Sequence, residues 1–330
     1  MNSERPCPIS PENSAKVVNL SFVAAVAICI FHMRLFAPPV DDPALNDVRM
    51  LFSYPALSFF FAASGYFLAR HCGEPGWWRT AIRKRVGTIV VPYCVWDLVN
   101  RIVEYCINGN WTLRPGGFGL NPFYHPHLVP LWYLRNLMLL VVASPLVFWC
   151  LKRWGRWFVA FLLAAWLSER GLVGLFPPSS SSRLNGLLQA TFSLQGLFAF
   201  GFGACLVWRP MTLGRRAGVW CGVGALAMAT MRFALNVSAP IDWLIPTSCL
   251  MLAFAWTHVP SSRLPEVFAH SAFPIYLMHG IVLNVLHCVF AYNRLTPLVE
   301  LLAGVGISVA SSALLHRFVP RVAHVVFGGR

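Results

Sequence analysis

Long apolar runs recur from one end of this chain to the other, and they leave few options for its fold. A helix needs about 20 apolar residues to cross roughly 30 Å of hydrocarbon. Ten stretches meet or approach that length: 17–37, 48–69, 84–106, 130–150, 156–175, 192–208, 216–235, 241–257, 267–290 and 298–319. Inside lipid every backbone polar group must be satisfied within the protein, which helices do by themselves. The expected class is therefore all-α: a polytopic membrane protein of about ten transmembrane helices, forming a single domain over 1–330. Charged residues are 12% of the chain, against about 25% in soluble domains.

The charges also orient the spans. Arg70, Arg79, Arg83, Lys84 and Arg85 share one loop; Lys152, Arg153 and Arg156 another; Arg209, Arg215 and Arg216 a third; Arg263 a fourth. The alternate loops carry Asp41, Asp42, Asp47 and Asp242. The positive-inside rule makes the basic set cytoplasmic. Arg5, Lys16, Arg317, Arg321 and Arg330 put both termini on that side, as an even number of spans requires. A net charge of +14 would suggest nucleic acid in a soluble protein. Here topology accounts for it, and no nucleic-acid partner is expected. Cys29, Cys94, Cys150, Cys205 and Cys249 lie in apolar runs without a CxxC pair, so neither a metal site nor a disulfide framework is indicated. The first run lacks a cleavage site and is expected to remain as a helix. Residues 107–129 and 176–191, rich in Pro, Gly and Ser, read as the longer outer loops.

Against this background the polar residues inside the spans stand out. His32 lies sixteen residues beyond Lys16, about 24 Å along a helix. An ionisable group at that depth marks a functional site by default; the bland alternative is a histidine bonded between helices. Asp97, Arg101 and Glu104 follow at i,i+4 and i,i+3 and so share one helix face. Each charge costs about 2.5–3.5 kcal/mol at a helix centre, so the stripe must face protein or a watery cavity, as a site or as a structural ion network. Arg135 lies about a turn inside the fourth span, after Trp132, whose position also suits ordinary interface anchoring. Tyr276 and His279 are i,i+3 neighbours in the ninth span. Ser64-Gly65 removes side-chain bulk beside Phe59-Phe60-Phe61, for helix contact or for a ligand. Arg83, Lys84 and Arg85 at the inner face serve either topology and lipid headgroups or the phosphates of a nucleotide-containing donor. An outer rim of arginine, acid and aromatic residues suits a sugar, whose CH faces stack on rings.

These words, in this order, resemble the acyltransferase-3 family of integral-membrane acyltransferases, which modify sugars of bacterial glycans. The resemblance covers nearly the whole chain. It rests on His32, on Ser58-Phe59-Phe60-Phe61-Ala62-Ala63-Ser64-Gly65-Tyr66 and on the basic loop leading to Pro92-Tyr93. It continues with Leu131-Trp132-Tyr133-Leu134, Phe198-Ala199-Phe200-Gly201-Phe202-Gly203-Ala204 and Ile275-Tyr276-Leu277-Met278-His279. It implies an acyl-CoA co-substrate, usually acetyl-CoA, entering from the cytoplasm, and no bound cofactor or metal. It also implies an acceptor hydroxyl on a glycan or lipid-linked sugar at the outer side, and an essential first-helix histidine, here His32. Localisation would be the bacterial inner membrane, among its lipids. Two positions depart from the family pattern: Ser21 and Thr88 stand where arginines are common. The family's frequent extra hydrolase-like domain is not expected, so that these helices would carry out the transfer alone.

The chemistry expected is transfer of a short acyl group, with His32 as general base, or as an acyl-histidine in a variant mechanism. Arg83, Lys84 and Arg85 would hold CoA phosphates, and Ser64 and Gly65 would line the pantetheine path. Asp97, Arg101, Glu104 and Arg135 would orient His32 or the acceptor, with Trp132, Tyr276 and His279 on the substrate side. A transporter or flippase of a glycan or lipid-linked precursor is the alternative from another class, and a non-catalytic scaffold is the third reading.

Overall fold

In lipid, helices gain little by hiding apolar surface from one another, so association depends on close fit and on buried polar bonds. Both devices are visible in the computed structural model, which describes residues 11–33, 43–108, 131–175, 193–209, 265–293 and 295–329, with Trp220 and Val223. All regular elements among them are helical. In chain order they are α1 (Pro11–His32), α2 (Pro43–Ala69), α3 (Trp77–Arg85), a π-helical turn (Val86–Val90) and α4 (Val91–Asn108). There follow α5 (Trp132–Trp154), α6 (Arg156–Leu175), α7 (Leu194–Trp208), the single turn α8 (Glu266–Ala269), α9 (Ala272–Val289), α10 (Thr296–Phe318) and α11 (Pro320–Val326).

Five helical stretches among the described residues are long and apolar enough to span a membrane: Ser14–His32, Trp77–Ile107, Trp132–Trp154, Ala272–Val289 and Thr296–Phe318. Pro55–Ala69, Arg156–Trp166 and Leu194–Trp208 are shorter apolar helices. The expected spans at 216–235 and 241–257 and most of the two long outer loops lie outside the described residues. One difference from the sequence reading concerns the basic cluster. Arg79, Arg83, Lys84 and Arg85, expected in a loop, belong to α3, which runs through the π turn into α4 as a single rod. Arginine and lysine are good helix formers, and no proline interrupts the rod until Pro92.

The chain divides into two compact units. The first contains residues 1–20, 54–81 and 139–262. Its described core is built on aromatic rings and missing side chains. A Cβ on Gly65 would run into the carbonyl oxygen of Phe200, and one on Gly203 into that of Ala62. The two glycines therefore let α2 and α7 touch backbone to backbone at two points. Around this notch, Phe148 stacks on Phe200 at 6.0 Å and 4°, and on Trp77 at 5.5 Å. Trp166 stacks on Phe198 at 5.7 Å. One buried polar bond crosses between the same helices, Gln195 Nε2–H donating to Ser58 Oγ at 3.1 Å. Helix α5 tolerates an internal proline for a local reason. Pro145 lacks the N–H that would bond the Val141 carbonyl, and the Ser144 hydroxyl donates to that carbonyl at 2.7 Å instead.

The second unit contains residues 21–53, 82–138 and 263–330. Helices α9 and α10 form an antiparallel pair, and the buried residues Glu300, Gly304, Ser308 and Ser312 lie at i,i+4 steps down one face of α10. Cys29 of α1 sits in the space left at Gly304, its Sγ 2.7 Å from where a Cβ would stand. Met33 and Leu283 complete that cluster. At another point of the unit, residues 326–329 clasp the start of α4. Trp96 Nε1–H donates to the Val326 carbonyl at 3.0 Å, and Phe327, fully buried, stacks between Trp96 and His316. Gly328 adopts a φ of +65°, which favours glycine, and its α-carbon lies so close to Thr88 in the π turn that a side chain would strike the Thr88 backbone.

Candidate active site

The second unit collects most of the polar residues singled out by sequence. His32 is the last residue of α1. Its ring meets Phe31 edge-on at 4.7 Å and lies 5.2 Å from the ring of His279 at a tilt of 41°. His279, two turns into α9, is fully buried. Its Nδ1 is 2.9 Å from the Ile275 carbonyl of its own helix. A carbonyl can only accept, so Nδ1 carries the proton and Nε2 is left as the acceptor. That Nε2 is buried with no hydrogen-bond partner among the described residues.

From His279 a wall of aromatic rings continues within the unit. Tyr276 is 6.2 Å away, one turn back on α9, and meets Tyr133 of α5 edge-to-face at 5.6 Å. Tyr133 in turn lies within electrostatic reach of Arg85. Tyr93, at the start of α4, is within reach of Asp97, Arg101 and Arg135. A series of ring contacts thus runs from Tyr133 on α5 through Tyr276 and His279 to the histidine at the end of α1.

The charged stripe on α4 is paired internally. Arg101 Nε donates to Asp97 Oδ2 at 2.9 Å, and Asn100 Nδ2 donates to Glu104 Oε1 at 2.9 Å. Asp97, Asn100, Arg101 and Glu104 thus lie along one side of α4, as the i,i+3 and i,i+4 spacing predicts. Arg135 and Asn136, side by side near the start of α5, are buried, and the Asn136 Oδ1 has no partner among the described residues. Trp132 is half-buried at the start of the same helix. Arg83 and Lys84 are exposed, whereas Arg85 is half-buried. Ser64 and Gly65 belong to the first unit, where Gly65 has the structural task described above.

Some groups escaped the sequence reading. Glu300, almost fully buried, faces His287 Nε2 at 3.4 Å. The signal was there, an acid near the start of the apolar run expected from 298. Tyr93 and Tyr133 were noticed only as parts of longer phrases, because an isolated tyrosine in an apolar run carries no warning.

A family model described as an acyltransferase domain, that of the acyltransferase-3 family, matches residues 20–317. Comparison with curated proteins and with solved structures gives no match. The match covers nearly the whole chain: this protein belongs to the acyltransferase-3 family and is a membrane acyltransferase.

Proposed function

We propose that this membrane acyltransferase moves a short acyl group, acetyl, from acyl-CoA to a sugar hydroxyl of a cell-surface or exported glycan, in the bacterial inner membrane. The observation that carries the reading is the placement of His32. In a chain matched along its length to an acyltransferase family, α1 ends on an imidazole beside a second, fully buried one.

A sugar hydroxyl is a poor nucleophile near neutral pH, and a histidine with a pKa near 6.5 suits its activation. In this mechanism the hydroxyl oxygen attacks the thioester carbonyl while His32 takes its proton. The C–S bond breaks, the C–O bond remains, and His32 returns the proton to the departing thiolate. The products are the ester and CoA thiol, so atoms and charge balance without a further reactant. Arg83 and Lys84 meet the donor phosphates as exposed cations, and Arg85 does so from its half-buried position. Asp97, Arg101, Glu104 and Arg135, with Trp132, orient the acceptor, and Tyr276 and His279 form the wall beside His32.

The test is the ester content of the host's surface glycan in a deletion strain, in the strain complemented with wild type, and in one complemented with His32→Ala at equal protein level. Loss of ester on deletion, recovery with wild type and no recovery with His32→Ala is the expected result. Esters that persist while glycan export falls would replace this reading with transport.

A further inference from the structure

The buried, unpartnered nitrogen of His279 asks for a donor. Its Nδ1–H is committed to the Ile275 carbonyl, so the tautomer is set and Nε2 can only accept. Because Nδ1 is turned toward its own helix, Nε2 lies on the ring edge away from that helix. A buried acceptor left unmatched is destabilising, and native proteins keep few of them. The rings nearest to His279 are Tyr276, on the same helix, and His32, on α1. An in-line N–H···N bond of about 3 Å between two imidazoles needs ring centroids about 5 Å apart; the separation here is 5.2 Å. Turning the His32 ring about its Cβ–Cγ bond, which leaves the centroid in place, is the motion required.

From this geometry we infer that His279 is the positioning residue of His32: its Nε2 accepts a hydrogen bond from a ring N–H of His32 and so presents the other His32 nitrogen, with its lone pair, to the acceptor hydroxyl. The inference rests on the role given to His32 above and adds a partner to it. When His32 takes the hydroxyl proton, the same bond becomes charge-assisted and stronger, which stabilises the imidazolium as it forms. A neutral histidine suits this position. A carboxylate would orient His32 equally well, but it would bury a full charge in the resting protein, at far greater cost. The arrangement is the base-and-orienter logic of hydrolytic triads, with an imidazole in the orienting place. The carbonyl of Ile275 stands behind it as the third member, fixing the tautomer of the orienter itself.

The experiment uses full-length protein in detergent micelles, labelled with 15N-histidine, as wild type, His32→Gln, His279→Gln and His279→Ala. The glutamine at 279 keeps an oxygen acceptor near the position of Nε2, and the alanine removes it. In the imidazole nitrogen spectrum, the His32 resonances, assigned by their loss in His32→Gln, are expected to shift in His279→Ala and to return toward wild type in His279→Gln. With acetyl-CoA and purified host glycan, His279→Ala is expected to lower kcat by about 10²-fold or more while leaving the KM for acetyl-CoA within about twofold. His279→Gln is expected to recover at least about tenfold of that loss. A thermal unfolding curve for each variant separates this from misfolding, and His279→Gln keeps the test open if the alanine variant does not fold. His32 resonances unchanged in both variants, or a folded His279→Ala protein with wild-type kcat, would overturn the inference. Should wild-type protein transfer no acetyl group to the glycan, the glycan reading falls, and the spectra alone then decide the pairing of the two histidines.

Discussion

The two units of this protein solve the same problem, holding helices together where water gives no help, with different materials. In the described part of the first, the interior is rings and absences: Phe148, Phe200, Trp166 and Phe198 stacked around the notch that Gly65 and Gly203 leave. Among its described residues the buried polar ones are Lys16, Ser58, Ser144 and Gln195, and two of these simply bond each other. The second unit buries Asp97, Asn100, Arg135, Asn136, His279 and Glu300, besides hydroxyls along α10. Ionisable groups cost free energy in an apolar medium, and the site proposed around His32 would give those of the second unit a purpose.

That contrast can be broken by experiment. The largest effect is expected at His32: alanine there should reduce acyl transfer by about 10³-fold or more, with an unchanged unfolding midpoint in detergent. An equal loss of midpoint would make His32 a structural residue and erase the distinction. Next comes Gly203→Leu in the first unit, which forces the backbone of Ala62 away. Overpacking at a backbone contact should cost about 3 kcal/mol or more, read as loss of monodisperse protein on size exclusion. Gly306→Ala is its control, since a Cβ there meets nothing within 4 Å, and helix propensity alone should make it neutral to slightly stabilising. Asp97→Ala leaves Arg101 without its partner and should destabilise by about 1–3 kcal/mol in thermal or chemical unfolding. The smallest effect is expected from the pair Ser58→Ala with Gln195→Leu. Removing both ends of a buried hydrogen bond together should be nearly neutral, while Ser58→Ala alone should cost about 1 kcal/mol. If the double replacement proves as costly as Asp97→Ala, the polar groups of the two units are not different in kind.

Sequence patterns reached some of these features and missed others for physical reasons. His32 was legible because an imidazole in an apolar run is costly, and Tyr276 with His279 because helical spacing puts them on one face. Spacing could not say that His279 would lie against His32, since that depends on how α1 and α9 pack. The role of Gly65 was ambiguous for a similar reason: a small residue permits close approach, and only the carbonyl of Phe200 shows what approaches. The π turn at Val86–Val90 was invisible, because one extra residue in a helical turn leaves no trace in composition or periodicity. Eight of the ten expected spans coincide with helices among the described residues, and the other two fall outside them.

The clasp formed by Val326, Phe327 and Gly328 has a consequence in time. Its hydrogen bond joins residues 230 positions apart. A ribosome adding about 5–20 residues per second needs roughly 10–50 s to cover that distance. Throughout that interval α3, the π turn and α4 exist without the residues that close over Thr88 and Trp96. The basic end of the rod is finished only when the late segment arrives, and closing so long a loop makes this step a late one in folding. A nascent chain halted before Val326 would carry His32, His279 and the whole aromatic wall, and still present an open seam beside Thr88 and Trp96.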